Sequence, residues 1–457
     1  MTSSSAFQDY LQSLCTTYKE WWKENAFIDE IKDAWFEFVL DGKTKSNKSA
    51  DEQRTTDEQR QEITKPVLRL IEDYRHQKIL IVGDPGAGKS TLLKRLLRDA
   101  AEKARKDEKA PIPVFVELKD YKTTGDRVGI RGLILESLES HDPALDEDAL
   151  KQLLTEKRLL LLADGLNELS HEPAKAELKN LCRHQAIIAT SRFANSWWEI
   201  DRKLEIQPLT SQQVKQFLEK HLPNRDRVEV EKLGERVRDL GQTPMMVWML
   251  YSIFQAKKET PTTRGEAYRS FTTLYVERAK AGLDLDESRF LLSKLAFEMM
   301  QSQKPDDPTH FSLDMTEVNA QNRLGSAKTL NQLLSLHLLQ ASGQPGNRKI
   351  RFCHQTLQEY YAAEALLEQL QKHPEHLEKT PEQQWTHFQQ DYLNYVKWTE
   401  AIALMLGFPE VNDSQAKPLV ELALDTDLML GARLAGEVKS KVQKQTIELI
   451  NTVQTNN

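Results

Sequence analysis

At 457 residues, 39% of them apolar, the chain is long enough for about two to four domains with cores of their own. Its 29% charged residues and net charge of −7 at pH 7 suit long solvated helical faces and argue against a nucleic-acid partner, and its three cysteines, Cys15, Cys182 and Cys353, are too scattered for a disulfide framework or a structural zinc site. Met1-Thr2-Ser3-Ser4-Ser5 opens no secretory signal and no apolar run approaches the ~18 residues of a membrane span, so a soluble, cytoplasmic protein is expected.

Residues 6–40 carry a helical apolar stripe: Phe7, Tyr10, Leu11, Leu14, Tyr18, Trp21, Trp22, Phe27, Ile28, Ile31, Trp35 and Phe38. Seven acidic residues against three basic ones disfavour docking on an anionic membrane. The segment is read as a helical pair packed on itself or on the next domain, with an oligomerisation or partner-binding element as the other reading. Residues 41–64 are read as a polar linker: Asp51-Glu52-Gln53-Arg54 recurs as Asp57-Glu58-Gln59-Arg60 with nothing apolar to bury, which suits a flexible tether or an exposed helix.

From about 65 to 204 strands and helices alternate, the pattern of an open parallel α/β sheet. Candidate strands are 78–82, 112–118, 159–163 and 186–190, and the prolines beside 112–118 place that strand nearer an edge. Three strand ends carry chemistry. The first is followed by Gly83-Asp84-Pro85-Gly86-Ala87-Gly88-Lys89-Ser90 and then Thr91, a complete G-x-x-x-x-G-K-[ST] loop. Its glycines let backbone N–H groups converge on an anion, Lys89 adds a mobile positive charge for the β- and γ-phosphates, and Ser90 offers a hydroxyl to Mg²⁺. The second is Leu159-Leu160-Leu161-Leu162-Ala163-Asp164, where Asp164 emerges at the carboxyl end of a buried strand, placed to hold the Mg²⁺ shell; Glu168 follows four residues on, as a group to polarise the attacking water. The third is Ala186-Ile187-Ile188-Ala189-Thr190-Ser191-Arg192, whose Arg192 suits reading of a γ-phosphate through its planar fork of donors.

From about 205 onward the pattern is almost entirely helical. The exception is a hairpin, Leu338–Ala341 and Lys349–Phe352 about a glycine/proline turn, with helices before it and one after it (356–371), which makes a winged-helix arrangement plausible. The post-hairpin helix holds Glu359, Glu364 and Glu368 and no basic residue until Lys372, a poor composition for gripping DNA phosphates. Beyond Pro374, residues 384–452 read as about four helices, and no long internal repeat is evident.

These motifs, in this order, resemble the NACHT domain of the STAND class of signal-transduction NTPases, the nucleotide module of NOD-like receptors. Pro113-Val114-Phe115-Val116-Glu117-Leu118-Lys119-Asp120-Tyr121 fits the same style, Gly241-Gln242-Thr243-Pro244 resembles the helical-domain proline motif, and Arg351-Phe352-Cys353-His354-Gln355 resembles the winged-helix motif. The resemblance implies that Pro244 packs near the adenine and that His354 touches the diphosphate of bound ADP. It implies a P-loop core (65–204), a small helical domain (205–264), a winged-helix domain (265–372) and a C-terminal helical region (373–457) resembling the start of a HEAT-like array, with residues 1–40 as an effector or oligomerisation segment. The chain departs from the family at Asn167, where an acidic residue is common, leaving Glu168 as the candidate base.

The function this implies is an ATP/ADP- and Mg²⁺-dependent switch with Lys89, Asp164, Glu168 and Arg192 as its catalytic set. It hydrolyses ATP slowly and joins other copies of itself once an unidentified trigger acts, in signalling or cellular defence. The alternatives are a nucleotide-binding scaffold with little hydrolysis and an AAA-like remodeller; a GTPase is disfavoured because no N-K-x-D element is present.

Overall fold

The computed structural model describes residues 7–18, 39–45, 62–122, 127–169, 172–193, 198, 200–222, 227–279, 284–302, 307–309, 311–336, 338–342, 348–371, 381–439 and 442–447. They fall into two compact units, one formed by Met1–His221 with Gly241–Met245 and the other by Leu222–Leu240 with Met246–Asn457.

The first unit is built on a seven-stranded sheet: β1 (Asp41–Lys45), β2 (Glu62–Pro66), β3 (Ile79–Val82), β4 (Ile112–Glu117), β5 (Leu159–Asp164), β6 (Ala186–Ser191) and β7 (Arg202–Ile206), ordered β2-β1-β7-β3-β6-β5-β4. The run β7-β3-β6-β5-β4 is parallel throughout. β3 is wholly buried and β5 and β6 nearly so, as expected of parallel strands covered by helices on both faces. All four expected strands are present, with β4 at the edge. The helices of this unit are α1 (Gln8–Thr17), α2 (Val67–Asp73), α3 (Lys89–Lys106), α4 (Gly129–His141), α5 (Glu147–Thr155), α6 (Glu172–Leu181) and α7 (Ser211–His221).

Three strands were not foreseen. In β7 a lysine and a glutamate alternate with residues that are buried, so the strand has no apolar run to announce it; buried Arg202 lays its guanidinium 4.0 Å from the centre of the Tyr74 ring. The stretch expected to be a tether or an exposed helix contributes strands at both ends: β1 pairs antiparallel with β2 and with β7. Thr44 is buried and its Oγ1 donates to the Lys203 carbonyl at 2.8 Å, so β1 is held by a polar side chain and ladder bonds rather than by an apolar face. The DEQR repeats lie outside the described residues.

The described start of the N-terminal stripe, residues 7–18, packs on the sheet domain. Phe7, Tyr10, Leu11 and Leu14 are buried, α1 lies against α3 and α4, and the Tyr10 hydroxyl donates to the Pro113 carbonyl at 2.8 Å. His141 sits between the rings of Tyr10 and Tyr18, at 6.0 and 5.9 Å, and within 3.3 Å of the Ser13 hydroxyl. Trp21, Trp22, Phe27, Ile28, Ile31, Trp35 and Phe38 lie outside the described residues.

The second unit contains α8 (Arg227–Leu240), α9 (Pro244–Lys257, whose first two residues group with the first unit), α10 (Arg264–Ala279), α11 (Leu285–Met300), β8 (Met315–Thr316), α12 (Glu317–Leu324), α13 (Ala327–Ser335), β9 (Leu339–Ser342), β10 (Lys349–Phe352), α14 (Gln355–Gln371), α15 (Pro381–Phe388), α16 (Thr399–Leu406), α17 (Asp413–Thr426) and α18 (Leu428–Glu437). The expected hairpin is β9–β10, antiparallel with Ile350 opposite Ala341, and β8 adds a third strand on the far side of β10.

α14 is the core of this unit and not a surface helix. Residues 356–367 are all buried, and α11 and α16 pack against it. Its two buried glutamates have different settings. Glu364 takes both ends of the Arg269 guanidinium at 2.8 and 2.6 Å and the Tyr360 hydroxyl at 2.6 Å; Glu359 accepts from the Gln355 amide at 3.1 Å. A second half-buried arginine, Arg264, bonds Glu437 and Glu400 at 2.5 and 3.4 Å, joining α10 to α16 and α18. Ala401–Leu406 are all buried where α16 packs on α14.

Candidate functional site

Charged side chains converge at the carboxyl ends of β3, β5 and β6. The Asp84–Ala87 turn closes with the Ala87 N–H donating to the Asp84 carbonyl at 3.1 Å. Gly86 and Gly88 then take φ of 77° and 92°, left-handed values that let the backbone turn straight into α3. No side chain caps that helix at Gly88, so its leading N–H groups are left for an anion. Lys89 folds back and donates to the carbonyls of Gly83 and Asp84 at 2.6 and 2.9 Å. Burial, aided by the positive charge of Arg192, pulls its ammonium down to about 8, against the opposing pull of Asp164, Asp84 and Glu168. Ser90 is exposed one residue into the helix, and Thr91 is half-buried behind it.

On β5, Asp164 is oriented by its neighbour strand. Thr190 Oγ1 donates to Asp164 Oδ1 at 2.5 Å while accepting from the Gly165 N–H at 2.9 Å. Gly165 has φ of 82°, and a Cβ there would meet Glu168 Oε2 at 2.6 Å, so only glycine lets the Glu168 carboxylate fold back over the strand end. Removal from water pushes the Glu168 carboxyl up to about 7; Lys119 and Arg192 oppose that rise, and Asp164 and Glu117 add to it. Asn167, in place of the usual acid, acts structurally. Its Oδ1 accepts the Arg192 N–H at 3.0 Å and ties the end of β6 to the turn after β5.

Asp164 and Arg192 thus lie close enough to act on the charges of both Lys89 and Glu168. Pro244 starts α9 beside the loop: the Met245 N–H reaches the Gly86 carbonyl at 3.4 Å, and a Cβ on Gly86 would stand 2.9 Å from Met245 Cβ and 3.4 Å from Thr243 Oγ1. His354 lies in the other unit, where its carbonyl accepts the Leu357 and Gln358 N–H groups at the start of α14.

Two features escaped the sequence. Leu40, leading into β1, sits at the loop, its Cδ1 3.4 Å from where a Gly88 Cβ would be, and the carbonyl of Val39 before it accepts from Gln213 Nε2 at 2.8 Å. No motif marks them, because only the added strand brings them there. Glu117 ends β4, in register opposite Asp164, Lys119 follows in the next turn, and the two bond each other at 3.2 Å. The ELKDY stretch was visible, but nothing in it said which strand end it would join. Among the described residues no three acidic, histidine or cysteine side chains form a metal cage. Ser90 and Asp164 are the groups that could hold an Mg²⁺ ion, which keeps most of its waters and needs few protein ligands when shared with phosphate oxygens.

Residues 77–225 match the NACHT domain family. No curated protein matches the chain. Among solved structures, a STAND protein with a tetratricopeptide repeat sensor from Pyrococcus horikoshii is similar at 13% identity and a TM-score of 0.35, over 84% of this chain and 64% of that one. A Walker-type ATPase of Pyrococcus abyssi is similar at 12% identity and a TM-score of 0.33, over 64% of this chain and 93% of that one. The chain therefore spans 64% of the length of the first of these, and at such scores neither likeness assigns an activity. The phosphate-binding loop and the side chains that converge on it lie inside the stretch, residues 77–225, that is similar to the NACHT domain family.

Proposed function

We propose that this protein is an adenine-nucleotide switch that binds ATP with Mg²⁺, hydrolyses it slowly and assembles with its own copies when activated, in signalling or cellular defence within the cytoplasm. The observation that supports this most directly is the meeting of Lys89, Asp164, Glu168 and Arg192 around the Gly83–Thr91 loop at the carboxyl edge of a parallel sheet. Lys89 leaves its own loop carbonyls to grip the β- and γ-phosphates. Glu168, when ionised, takes the proton of the attacking water; Thr190 aims Asp164; Arg192 reports the γ-phosphate. Bound at Ser90 and Asp164, Mg²⁺ would neutralise phosphate charge. Leu40 and Pro244–Met245 flank the loop where the base would lie, and His354 is assigned to the ADP diphosphate on its motif alone.

The helix–strand–helix–helix–hairpin order of α11, β8, α12, α13 and β9–β10 supports a winged-helix domain within 265–372, after a small helical domain at 205–264. The pair α17–α18 is the part of 373–457 that a HEAT-like array would start from. A second reading, a nucleotide-binding scaffold that barely turns over, is favoured by Asn167 and by a Glu168 carboxyl half-protonated near pH 7.

Titration with a fluorescent ATP analogue tests the reading. Wild type binds in the presence of Mg²⁺ and Lys89→Ala does not. Absence of binding by the folded wild type ends the proposal. Phosphate release under single-turnover conditions separates switch from scaffold.

A further inference from the structure

Lys119 is a cation near Glu168 to which the loop-and-strand motifs assign no role. It sits in the short 3-10 turn Leu118–Asp120 that follows β4, and this turn packs against the corresponding turn Leu166–Glu168 after β5. Because β4 and β5 pair with Glu117 opposite Asp164, the two turns leave the sheet side by side. Lys119 and Glu117 are only 21% and 22% exposed and bond each other at 3.2 Å, so the ammonium is not a solvated surface group with many rotamers open to it. The groups facing Glu168 are Lys119, Asp164, Arg192, Glu117 and the loop's Lys89, and Tyr18 of the α1 end in turn lies beside Glu117. Two of these neighbours are carboxylates that repel the Glu168 carboxylate. Of the other cations, Lys89 is bonded to the Gly83 and Asp84 carbonyls of its own loop, and Arg192 stands at the end of β6, where its backbone N–H donates to Asn167 Oδ1.

We propose that Lys119, steadied by Glu117, is a positioning residue for Glu168: it holds that carboxylate above the end of β5 in the orientation from which it meets the attacking water. This rests on the hydrolytic role proposed for Glu168. A half-buried ammonium held by one carboxylate and facing another has a definite direction, and a charge-assisted contact of this kind is worth more than one in open water.

The test is a cycle of variants in the full chain, read by single-turnover phosphate release with enzyme in excess over ATP and by binding of a fluorescent ATP analogue. Lys119→Met is expected to lower the rate constant about tenfold or more while nucleotide affinity stays within about twofold. Lys119→Arg restores most of the rate. In a Glu168→Gln background, Lys119→Met has no further effect, because its action passes through the missing carboxylate. Lys119→Gln, with its melting temperature checked against wild type, guards against a fold defect of the methionine variant. An equal loss from Lys119→Met with and without the Glu168 carboxylate overturns the inference, as does a loss confined to nucleotide affinity or an unchanged rate. The parent reading fails separately: Glu168→Gln alone then hydrolyses like wild type.

Discussion

Glu168 and Lys89 show what burial does to charge at a strand end. The Glu168 carboxyl stands at about 7 in the folded protein, above its ordinary 4.5, mainly because it is removed from water. A group raised on folding contributes stability that is fully present below its unfolded value and is lost as pH rises through the folded value. Glu168→Gln stays neutral throughout, so without Mg²⁺ its melting temperature should be close to wild type at pH 4 and exceed it by about 7 °C at pH 8. A flat difference between those pH values contradicts the assignment. Lys89 is displaced the other way, to about 8, by burial and by Arg192. A phosphate would restore its charge, so ATP binding at pH 8 should take up about half a proton. Calorimetry in buffers of different ionisation enthalpy measures this, and Lys89→Arg should abolish it.

At the scale of elements, much hangs on close approaches that no motif announces. Gly265, at the start of α10, faces the end of α16: a Cβ there would lie 2.3 Å from the Leu404 carbonyl oxygen and 2.9 Å from the Phe408 ring. The same corner is fastened by Thr263 Oγ1 donating to the Gly407 carbonyl at 2.5 Å, by Arg264 with Glu437 and Glu400, and by Arg269 stacked 4.1 Å over Phe408. Gly265→Ala must push α10 from α16 and is expected to cost about 2–3 kcal/mol, measured as a lower denaturation midpoint of the second unit. A wild-type midpoint would mean that the corner yields freely. Strands with an apolar run, β3 to β6, were legible because parallel strands buried on both faces read as unbroken hydrophobic stretches. β1, β2 and β7 were not, since their places depend on ladder bonds and on buried polar atoms such as Thr44 and Arg202.

At the scale of the whole molecule, the proposed switch has to convert nucleotide state into assembly. A ligand held by one state alone stabilises it by about 2.7 kcal/mol at a hundredfold excess over Kd. Carrying a population from 1:99 to 99:1 takes about 5.5 kcal/mol. Exchange of ADP for ATP therefore falls short by itself, which is why a trigger ligand or protein belongs in the proposal. Native mass measurement is expected to find monomer with ADP, and larger closed assemblies with a non-hydrolysable ATP analogue only once the trigger is supplied or His354→Ala weakens the ADP-bound state. Identical mass distributions for wild type and His354→Ala with either nucleotide would remove assembly from the proposal.

What the sequence by itself determined is the local chemistry: a glycine-rich turn with its lysine, an acid at the end of a leucine strand and an arginine at the end of another, all set by short-range spacing. Tertiary structure alone decided which distant segments join them. Leu40 reaches the loop because β1 pairs with β7, Lys119 stands beside Glu168 because β4 pairs with β5, and the hairpin's following helix is a core element because α11 and α16 cover it. Those outcomes depend on pairings between residues far apart in the chain, whose partners a local pattern of side chains does not name.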